Sequence, residues 1–352
     1  MLKRLLWLAL GLLLSACTAA TPTPLQETPA AAASPTPGPE ITAFDQARRL
    51  GRGVNLGNAL EAPNEGDWGV LLNEDDFKLI AEAGFDSVRL PVRFSAHALR
   101  EAPYTIDPAF FERVDWAVDQ ALKHHLAVII DLHHYEEMYV APEGERQRFT
   151  ALWEQIAARY QAYPDTVYFE LMNEPGDALS FSLWNSLLKD ALAAARQTNP
   201  ERAVIIGPVA WYNVNFLPGL VLPPDDRHLI GSFHYYIPFE FTHQGADWME
   251  GSSAWLGTTW QGTEAELRIM RVDFDKAAAW SKAEDRPVYL GEFGAFSTAD
   301  MASRVRWTAA VARLAESLNM PWAYWEFRAG FGVYDGEVGK WNQSLLDALM
   351  DR

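Results

Sequence analysis

The sequence of 352 residues contains a single cysteine, Cys17, and fewer basic than acidic residues. With one cysteine the chain forms no intramolecular disulfide, so side-chain packing must hold the fold. The 29 Lys and Arg residues and the 47 Asp and Glu residues give a formal net charge of −18. Nucleic acids and anionic membranes are bound mainly by clusters of Lys and Arg, so this composition argues against both as partners of the globular part.

A run long enough to span a membrane is also missing. The apolar run LLWLALGLLL, at positions 5–14, is shorter than the ~20 residues that a spanning helix needs, and it follows Lys3 and Arg4. It therefore predicts an export signal. Its end, LSAC, resembles the lipobox of bacterial lipoproteins, which implies removal of residues 1–16 and diacylation of Cys17; the alternative is an inert thiol. We expect an exported protein of the cell envelope, lipid-anchored to the outside of a membrane.

Large apolar side chains are scarce at positions 18–40, where the sequence is TAATPTPLQETPAAAASPTPGPE. A segment rich in Pro, Thr and Ala has little surface to bury and is typical of an extended spacer. We therefore assign 17–40 to the lipidated cysteine and a linker, and 41–352 to a single domain. With 49% hydrophobic residues, the chain can bury one large core.

From residue 41 the sequence repeats a short apolar run followed by an amphipathic stretch. Eight runs occur in order: GVNLGN, SVRLPV, AVIIDLHH, VYFELMNEP, AVIIGP, LIGSFHYY, VYLGEFG and WAYWEF. Each is continuously apolar rather than alternating, as expected of parallel strands that are covered on both faces. Helical periodicity separates most of them, as in FFERVDWAVDQALKHH. The pattern predicts an α/β fold, a single-domain (β/α)₈ TIM barrel.

A doubly wound nucleotide-binding sheet fits less well. The glycines of GRGVNLGN are spaced GxGxxxG and span the first strand, whereas the phosphate-binding fingerprint GxGxxG follows its strand.

Polar and aromatic residues follow the apolar run of nearly every predicted strand. In a barrel of this kind the carboxyl ends of the strands form one face, and that face carries the chemistry. The residues predicted there are Asn55, Asn58, Arg89, His133, His134, Asn173, Glu174, His234, Tyr236, Glu292, Trp325 and Glu326. So many reactive groups at strand ends exceed what a fold needs, and they predict an active site.

Two of these residues are glutamates without flanking basic residues. Glu174 is predicted to end the fourth strand and Glu292 the seventh, across the mouth of the barrel. Two carboxylates that face each other over a cleft suit glycoside hydrolysis, in which one protonates the leaving oxygen and the other attacks the anomeric carbon or activates water. A structural salt bridge is the alternative for either residue alone.

The motifs GVNLGN, SVRLPV, DLHHY, LMNEP, HYY, GEFG and WAYWEF occur in an order that resembles glycoside hydrolase family 5 over about residues 45 to 345. The longer matches NALEAPNEGDWGV, PFEFTHQGADW and WEFRAGFGVYD resemble the thermophilic bacterial endoglucanases of that family, some of which also cleave mannans. The resemblance implies a retaining endo-β-1,4-glucanase that needs no cofactor or metal. A β-mannanase or a dual enzyme is the alternative.

The same resemblance implies a role for each matching position. Glu174 is the general acid/base, and Glu292 is the nucleophile that forms a covalent glycosyl-enzyme. Five residues support them: Arg89 keeps Glu292 ionised, Asn173 bonds the sugar 2-hydroxyl, Tyr236 donates to Glu292, His234 sets the proton state of Glu174, and His133 binds hydroxyls. The substrate-binding residues are Asn58, Glu61, His134, Trp211, His243, Trp248 and Trp325.

The chain is rich in aromatic residues, which include 14 Trp, and the stretch from Ile237 to about Met270 is predicted to form a wall of the cleft. It carries Phe239, Phe241, His243, Trp248, Trp255 and Trp260, of which Trp255 and Trp260 are as readily explained by packing. We expect a monomer whose partner is a polysaccharide, a β-glucan or also glucomannan or mannan. Because the predicted barrel fills 41–352, soluble or amorphous glucan is expected rather than crystalline cellulose.

Two rival hypotheses remain open at this point. A metal-dependent hydrolase could use Asp131, His133, His134 and His234 as ligands, although the usual HxH pair after the first strand is replaced by NLGN. A non-catalytic lipoprotein could capture polysaccharide with a degenerate barrel, although such a protein is expected to have lost one of the two glutamates.

Overall fold

The structure, a computed structural model, describes residues 41–351. The predicted signal peptide at 1–16, Cys17 and the predicted linker up to residue 40 lie outside the described residues. Within 41–351, no helix combines the length and the apolar character needed to cross a membrane.

Eight parallel strands close into a barrel in sequence order, which confirms the predicted (β/α)₈ fold. They are β1 (Arg52–Asn55), β2 (Ser87–Val92), β3 (Ala127–Leu132), β4 (Val167–Glu170), β5 (Val204–Ile206), β6 (Leu229–His234), β7 (Val288–Glu292) and β8 (Trp322–Tyr324). Nearly every residue in them is buried, as the continuous apolar runs predicted. The barrel closes where β1 pairs with β8.

Helices surround the barrel and connect its strands. They are α1 (Ala43–Leu50), α2 (Glu74–Ala83), α3 (Pro108–Lys123), α4 (Glu136–Val140), α5 (Pro142–Arg159), α6 (Phe181–Arg196), α7 (Val209–Tyr212), α8 (Phe239–Thr242), α9 (Glu264–Glu284), α10 (Met301–Ser317) and α11 (Gln343–Met350). Short 3₁₀ turns occupy Phe94–His97, Val214–Gly219 and Ser252–Trp255.

The sequence fixes where several helices begin. Thr42 and Asp45 form a reciprocal capping box at α1, and Thr263 and Glu266 form another at α9. Each box satisfies backbone N–H groups that a first helical turn leaves without partners. At the other end of α2, Gly84 adopts a left-handed conformation with φ 93°, which glycine enters without steric cost.

The interior of the barrel changes from apolar to charged along the strands. Its lower part is a cluster closed from below by α1, and Tyr168 donates its hydroxyl to the backbone oxygen of Gln46 there. Further along the same strands, Arg89, Asp131 and Glu170 are fully buried. Ionised groups are rarely buried unless they are paired, and here Arg89 forms ion pairs with both carboxylates.

Candidate active site

The two predicted carboxylates reach the same end of the barrel by different routes. Glu292 is the last residue of β7 and is 5% exposed. The prediction that Glu174 ends β4 is wrong, because that strand stops at Glu170. Glu174 follows four residues later, in a turn where its own φ is 44°. The turn carries the Glu174 side chain over the barrel mouth, where it is 24% exposed.

The carboxylates approach each other closely with a histidine between them. His234 Nδ1 lies 2.6 Å from Glu174 Oε1 and 3.6 Å from Glu292 Oε2. One carboxylate oxygen of each glutamate and one ring nitrogen of His234 all lie within 4.8 Å of one another. This spacing is near the roughly 5–5.5 Å typical of glycosidases that retain configuration and below the roughly 6.5–9.5 Å of inverting ones.

Arg89 lies beneath the cleft and binds several acceptors at once. Its Nη1 donates to Glu292 Oε1 at 2.7 Å, and its Nη2 donates to Asn173 Oδ1 at 2.8 Å. The same guanidinium forms two bonds to Glu170, of 2.7 and 2.9 Å, and lies 3.0 Å from Asp131 Oδ2. Planar paired bonds of this kind fix the orientation of an arginine, so Arg89 holds the nucleophile candidate and Asn173 in register.

The pKa values of the two carboxyl groups depend on their different neighbours. Burial raises the pKa of Glu174 to about 8, with Arg89 opposing it. Burial also raises the pKa of Glu292, but His234, Arg89 and Tyr236 all oppose that rise. Arg89 therefore acts on Glu292 in the expected direction, yet burial outweighs it and the net shift is upward. Below pH 8 Glu174 holds a proton and can act as an acid.

Two further contacts tune this pair. Tyr236 donates its hydroxyl to Glu292 Oε2 at 2.9 Å. Burial lowers the pKa of His234 to about 4, so its imidazole is neutral at neutral pH and shares one proton with Glu174. His133, predicted to bind hydroxyls, lies 2.5 Å from Asp131 through Nδ1 and is fixed in orientation by that contact.

A cleft of about 1,230 Å³ opens above these residues. It is larger than the roughly 300–1,000 Å³ of most small-ligand sites, which leaves room for a ligand of more than drug size. Arg89 is not in its lining because it lies below. Every other predicted catalytic, supporting or substrate-binding residue contributes to the walls: Asn58, Glu61, His133, His134, Asn173, Glu174, Trp211, His234, Tyr236, His243, Trp248, Glu292 and Trp325.

Several aromatic residues line the cleft. Trp211 and Trp248 are more than half exposed, at 53% and 58%, which suits rings that await a ligand. Two glycines make room for such rings: a Cβ on Gly57 would lie 3.1 Å from Trp325, and one on Gly176 would lie 2.8 Å from Trp211. Flat apolar faces of this kind stack on the C–H faces of sugars.

The wall predicted between Ile237 and Met270 is present only in part. Phe239, His243 and Trp248 line the cleft. Phe241 and Trp260 are buried instead, and Trp255 packs against Phe239. The sequence alone left open whether Trp255 and Trp260 line the cleft or pack the loop onto the barrel, and the structure shows that both pack.

Some predicted strand-end groups serve the backbone. Glu326 is fully buried and accepts bonds from the amides of Ala329 and Phe331, which shapes the loop after β8. Glu61 lines the cleft and also accepts the amides of Asn58 and Ala59. Burial raises the pKa of Glu61 to about 8.

Sequence reasoning missed two residues of the site. Glu170 was read as part of an apolar strand, although a carboxylate inside a buried run signals a buried partner. Trp68 lies in the loop after β1 and lines the cleft. Its signal was the exposed, polar character of the surrounding APNEGDWG, in which one large ring stands alone.

The fold does not bring together the four metal ligands that the metal-dependent alternative requires, Asp131, His133, His134 and His234. Among the residues the structure describes, the three side chains with donor atoms close enough for an ion are Glu174, His234 and Glu292. Asp131 and His133 contact each other, and Asp131 also contacts Arg89. His234 thus joins the two glutamates and not the predicted Asp131–His133–His134 cluster.

Comparison with known proteins gives consistent results. Residues 52–330 match the family model for cellulase (glycosyl hydrolase family 5). Endoglucanase H of Acetivibrio thermocellus is 37% identical over 321 residues, which covers 88% of this chain and 34% of that protein. The chain thus spans about a third of the length of that relative. Endoglucanase C of the same organism is 26% identical, over 85% of this chain and 98% of its own length.

Solved structures of high similarity include two ligand complexes. Thermotoga maritima Cel5A in complex with mannotriose has 48% sequence identity and a TM-score of 0.86, over 87% of this chain and 99% of that one. Structures of the same enzyme in complex with cellobiose give the same identity, TM-score and coverage.

Proposed function

The chain belongs to the cellulases of glycosyl hydrolase family 5, and we propose on that premise that it is an endo-β-1,4-glucanase that hydrolyses internal bonds of soluble or amorphous glucans with retention of configuration. The observation that carries this proposal is the close approach of Glu174 and Glu292, within 4.8 Å around His234. The names of the similar proteins, endoglucanase H and endoglucanase C, support the substrate class.

In the first step Glu292 attacks the anomeric carbon of the sugar at the cleavage point. Glu174 gives its proton to the glycosidic oxygen as the bond to that oxygen breaks, and the leaving chain departs as an alcohol. A covalent glycosyl-enzyme forms on Glu292. The raised pKa of Glu174 supports its role as the acid, because the group holds its proton below pH 8.

In the second step a water molecule attacks the same carbon from the side that the leaving chain vacated. Glu174, now ionised, takes a proton from that water, and the bond to Glu292 breaks. Two inversions at one carbon give net retention. The bonds from Arg89 and Tyr236 hold the Glu292 carboxylate in the position for attack and stabilise it when it leaves.

The test is reducing-sugar release by the purified protein from carboxymethylcellulose and barley β-glucan, with ¹H NMR of the first-formed anomer. We expect release with retention and a fall of about 10²–10⁴-fold in turnover for Glu174→Gln. Glu292→Gln should lose the covalent intermediate and turnover with it. Glu112→Gln, an exposed glutamate on α3, is the matched control. Near wild-type turnover in either cleft variant, or inversion, would reject the mechanism.

Cleavage of β-mannan is a second candidate activity. It is supported by the similar Cel5A structure that holds mannotriose. Glucan and mannan differ at the 2-hydroxyl, so the residue that binds this hydroxyl decides between them. In this chain Asn173, whose side-chain oxygen is bound by Arg89, is the residue proposed to bond that hydroxyl. Parallel assays on glucomannan and galactomannan decide the breadth, and activity on β-glucan alone would remove this candidate.

We further propose that Cys17 carries a lipid that anchors a monomeric enzyme to the outside of a membrane, after removal of residues 1–16. The support is the sequence LSAC after an apolar run preceded by Lys3 and Arg4. Expression with a radiolabelled fatty acid should label the wild type and not Cys17→Ala, which should leave the membrane fraction. Equal labelling of both would contradict the anchor, and a dimer in sedimentation would contradict the monomer.

A further inference from the structure

A left-handed turn in the loop after β5 lies beside the turn that carries Glu174. Three consecutive residues of α7 have positive φ: 60° at Ala210, 57° at Trp211 and 54° at Tyr212. L-amino acids adopt this conformation as single residues, because the Cβ comes close to the following carbonyl oxygen, so a run of three is costly. Backbone strain persists only where surrounding contacts impose it, and it is concentrated at functional sites. In this turn Tyr212 and Trp211 make those contacts.

The left-handed turn binds the chain on both sides of Glu174. The side chain of Tyr212 is fully buried, and its hydroxyl donates to the backbone oxygen of Met172 at 2.7 Å, two residues before Glu174. The backbone N–H of Trp211 donates to the backbone oxygen of Pro175 at 3.3 Å, one residue after Glu174. Since φ at Glu174 is 44°, the conformation there also depends on contacts with other segments, and the left-handed turn supplies two of them.

The ring of Tyr212 also packs against His234, the hydrogen-bond partner of Glu174. The centroids of the two rings are 4.8 Å apart, with an angle of 57° between the ring planes. Another edge of the imidazole lies so close to Gly291 that a Cβ there would be 2.7 Å from Nε2. These two contacts restrict rotation of the imidazole. They fix the direction in which Nδ1 meets Glu174, 2.6 Å away.

The Tyr212 ring occupies a space that Gly207, directly after β5, leaves open. A Cβ on Gly207 would lie 2.3 Å from ring carbons of Tyr212, whereas carbon atoms in good contact are roughly 3.5–4.0 Å apart. Tyr212 is outside the lining of the cleft, so its side chain meets no substrate. It acts on the reaction through the two groups it contacts, the turn that carries Glu174 and the ring of His234.

We propose that Tyr212 is a positioning residue for the acid/base, and that it holds Glu174 in place through the Met172 carbonyl and the ring of His234. This inference rests on the proposed function, since it takes Glu174 as the acid. Proton transfer requires the carboxyl group to be within hydrogen-bond reach of the glycosidic oxygen. A displaced acid therefore slows the cleavage of substrates that need the proton and spares those that do not.

The test compares two substrates of the purified protein that differ in their need for the acid. The leaving chain of barley β-glucan departs as an alcohol and takes a proton from Glu174. The leaving group of 2,4-dinitrophenyl β-cellobioside departs as a stable phenolate anion and needs no proton. For both substrates kcat/KM measures the barrier up to formation of the glycosyl-enzyme and excludes its later hydrolysis.

In Tyr212→Phe the ring stays and the hydrogen bond to Met172 is lost. We expect kcat/KM for β-glucan to fall about 5- to 50-fold, and that for the dinitrophenyl glycoside to change less than about 2-fold. Tyr212→Leu also removes the ring against His234 and should widen the difference. The matched control is Tyr168→Phe, which removes a buried hydroxyl that donates to the backbone oxygen of Gln46 at 2.9 Å in the lower part of the barrel. Both substrates should be cleaved as by the wild type.

Tyr212→Phe decides the outcome, and Glu174→Gln is the reference, which should show the same pattern with a larger fall. An equal fall for both substrates in Tyr212→Phe would overturn the inference, because the hydroxyl would then only stabilise the fold. Unchanged kcat/KM for both substrates would overturn it as well. If the wild type cleaves neither substrate, or if Glu174→Gln loses both activities equally, the proposed function itself fails, so the two failures are distinguishable.

Discussion

The hydrogen bond from Tyr236 to Glu292 gives a prediction whose size follows from the structure. In Tyr236→Phe the ring stays and only the hydroxyl that donates to Oε2 at 2.9 Å is lost. A hydrogen bond to a charged group contributes about 1.5–3 kcal/mol, and one pKa unit corresponds to about 1.36 kcal/mol. The hydroxyl stabilises the ionised form of Glu292, so its loss should raise the pKa of Glu292 by about 1 to 2 units.

The pH dependence of kcat/KM measures this shift directly. The acidic limb reports ionisation of the nucleophile in the free enzyme, and the basic limb reports loss of the proton from the acid. In Tyr236→Phe the acidic limb should move to higher pH by the same 1 to 2 units. The basic limb should stay near 8, because the groups that set the pKa of Glu174 are burial, Arg89 and Glu170.

The assay is initial-rate hydrolysis of p-nitrophenyl β-cellobioside between pH 4 and 10, with product measured after quenching in base. Tyr163→Phe, at a half-buried tyrosine remote from the cleft, is the matched control and should reproduce the wild-type profile. An acidic limb that does not move in Tyr236→Phe would refute the reasoning, since the bond would then contribute nothing to the ionised carboxylate.

Three other predictions concern the buried charges and the metal question. Arg89→Met removes the cation that contacts three buried carboxylates, and it should lower the free energy of unfolding in urea by about 3–5 kcal/mol. Arg271→Met, at an exposed ion pair, should lower that free energy by only about 0–1 kcal/mol. Equal losses in the two variants would contradict this expectation. Glu170→Gln removes a charge that raises the pKa of Glu174, so the basic limb of kcat/KM should move below 8, and an upward move would be inconsistent. Dialysis against EDTA should leave β-glucan hydrolysis unchanged, and a loss reversed by added metal would favour the metal-dependent alternative.

The positions of strands were predictable because burial on both faces leaves a signature in sequence. Eight continuously apolar runs corresponded to eight strands, and the polar residues after them lie at the end of the barrel where the cleft opens. Glu292 was placed correctly because β7 runs straight to it. Glu174 was placed less well, since a turn with positive φ separates it from β4, and apolar patterning does not reveal such turns.

Contacts between distant strands were harder to predict. Glu170 looked like an ordinary member of an apolar run, and only the closed barrel brings it to Arg89, 81 residues earlier. The net direction of the Glu292 pKa shift was also missed, because it depends on how much water the folded cleft excludes. Arg89 was visible in the sequence, whereas the depth of burial was not.

By itself the sequence determined the barrel, the end at which the cleft opens and two carboxylates that line that cleft, because burial patterns and motifs are local properties of the chain. Only the tertiary structure decided which groups meet. It brought Glu174 and Glu292 within 4.8 Å around His234, separated the rings that line the cleft from those that pack the loops, and placed Trp68 opposite Trp211. These are distances between residues far apart in sequence, and closure of the barrel sets them.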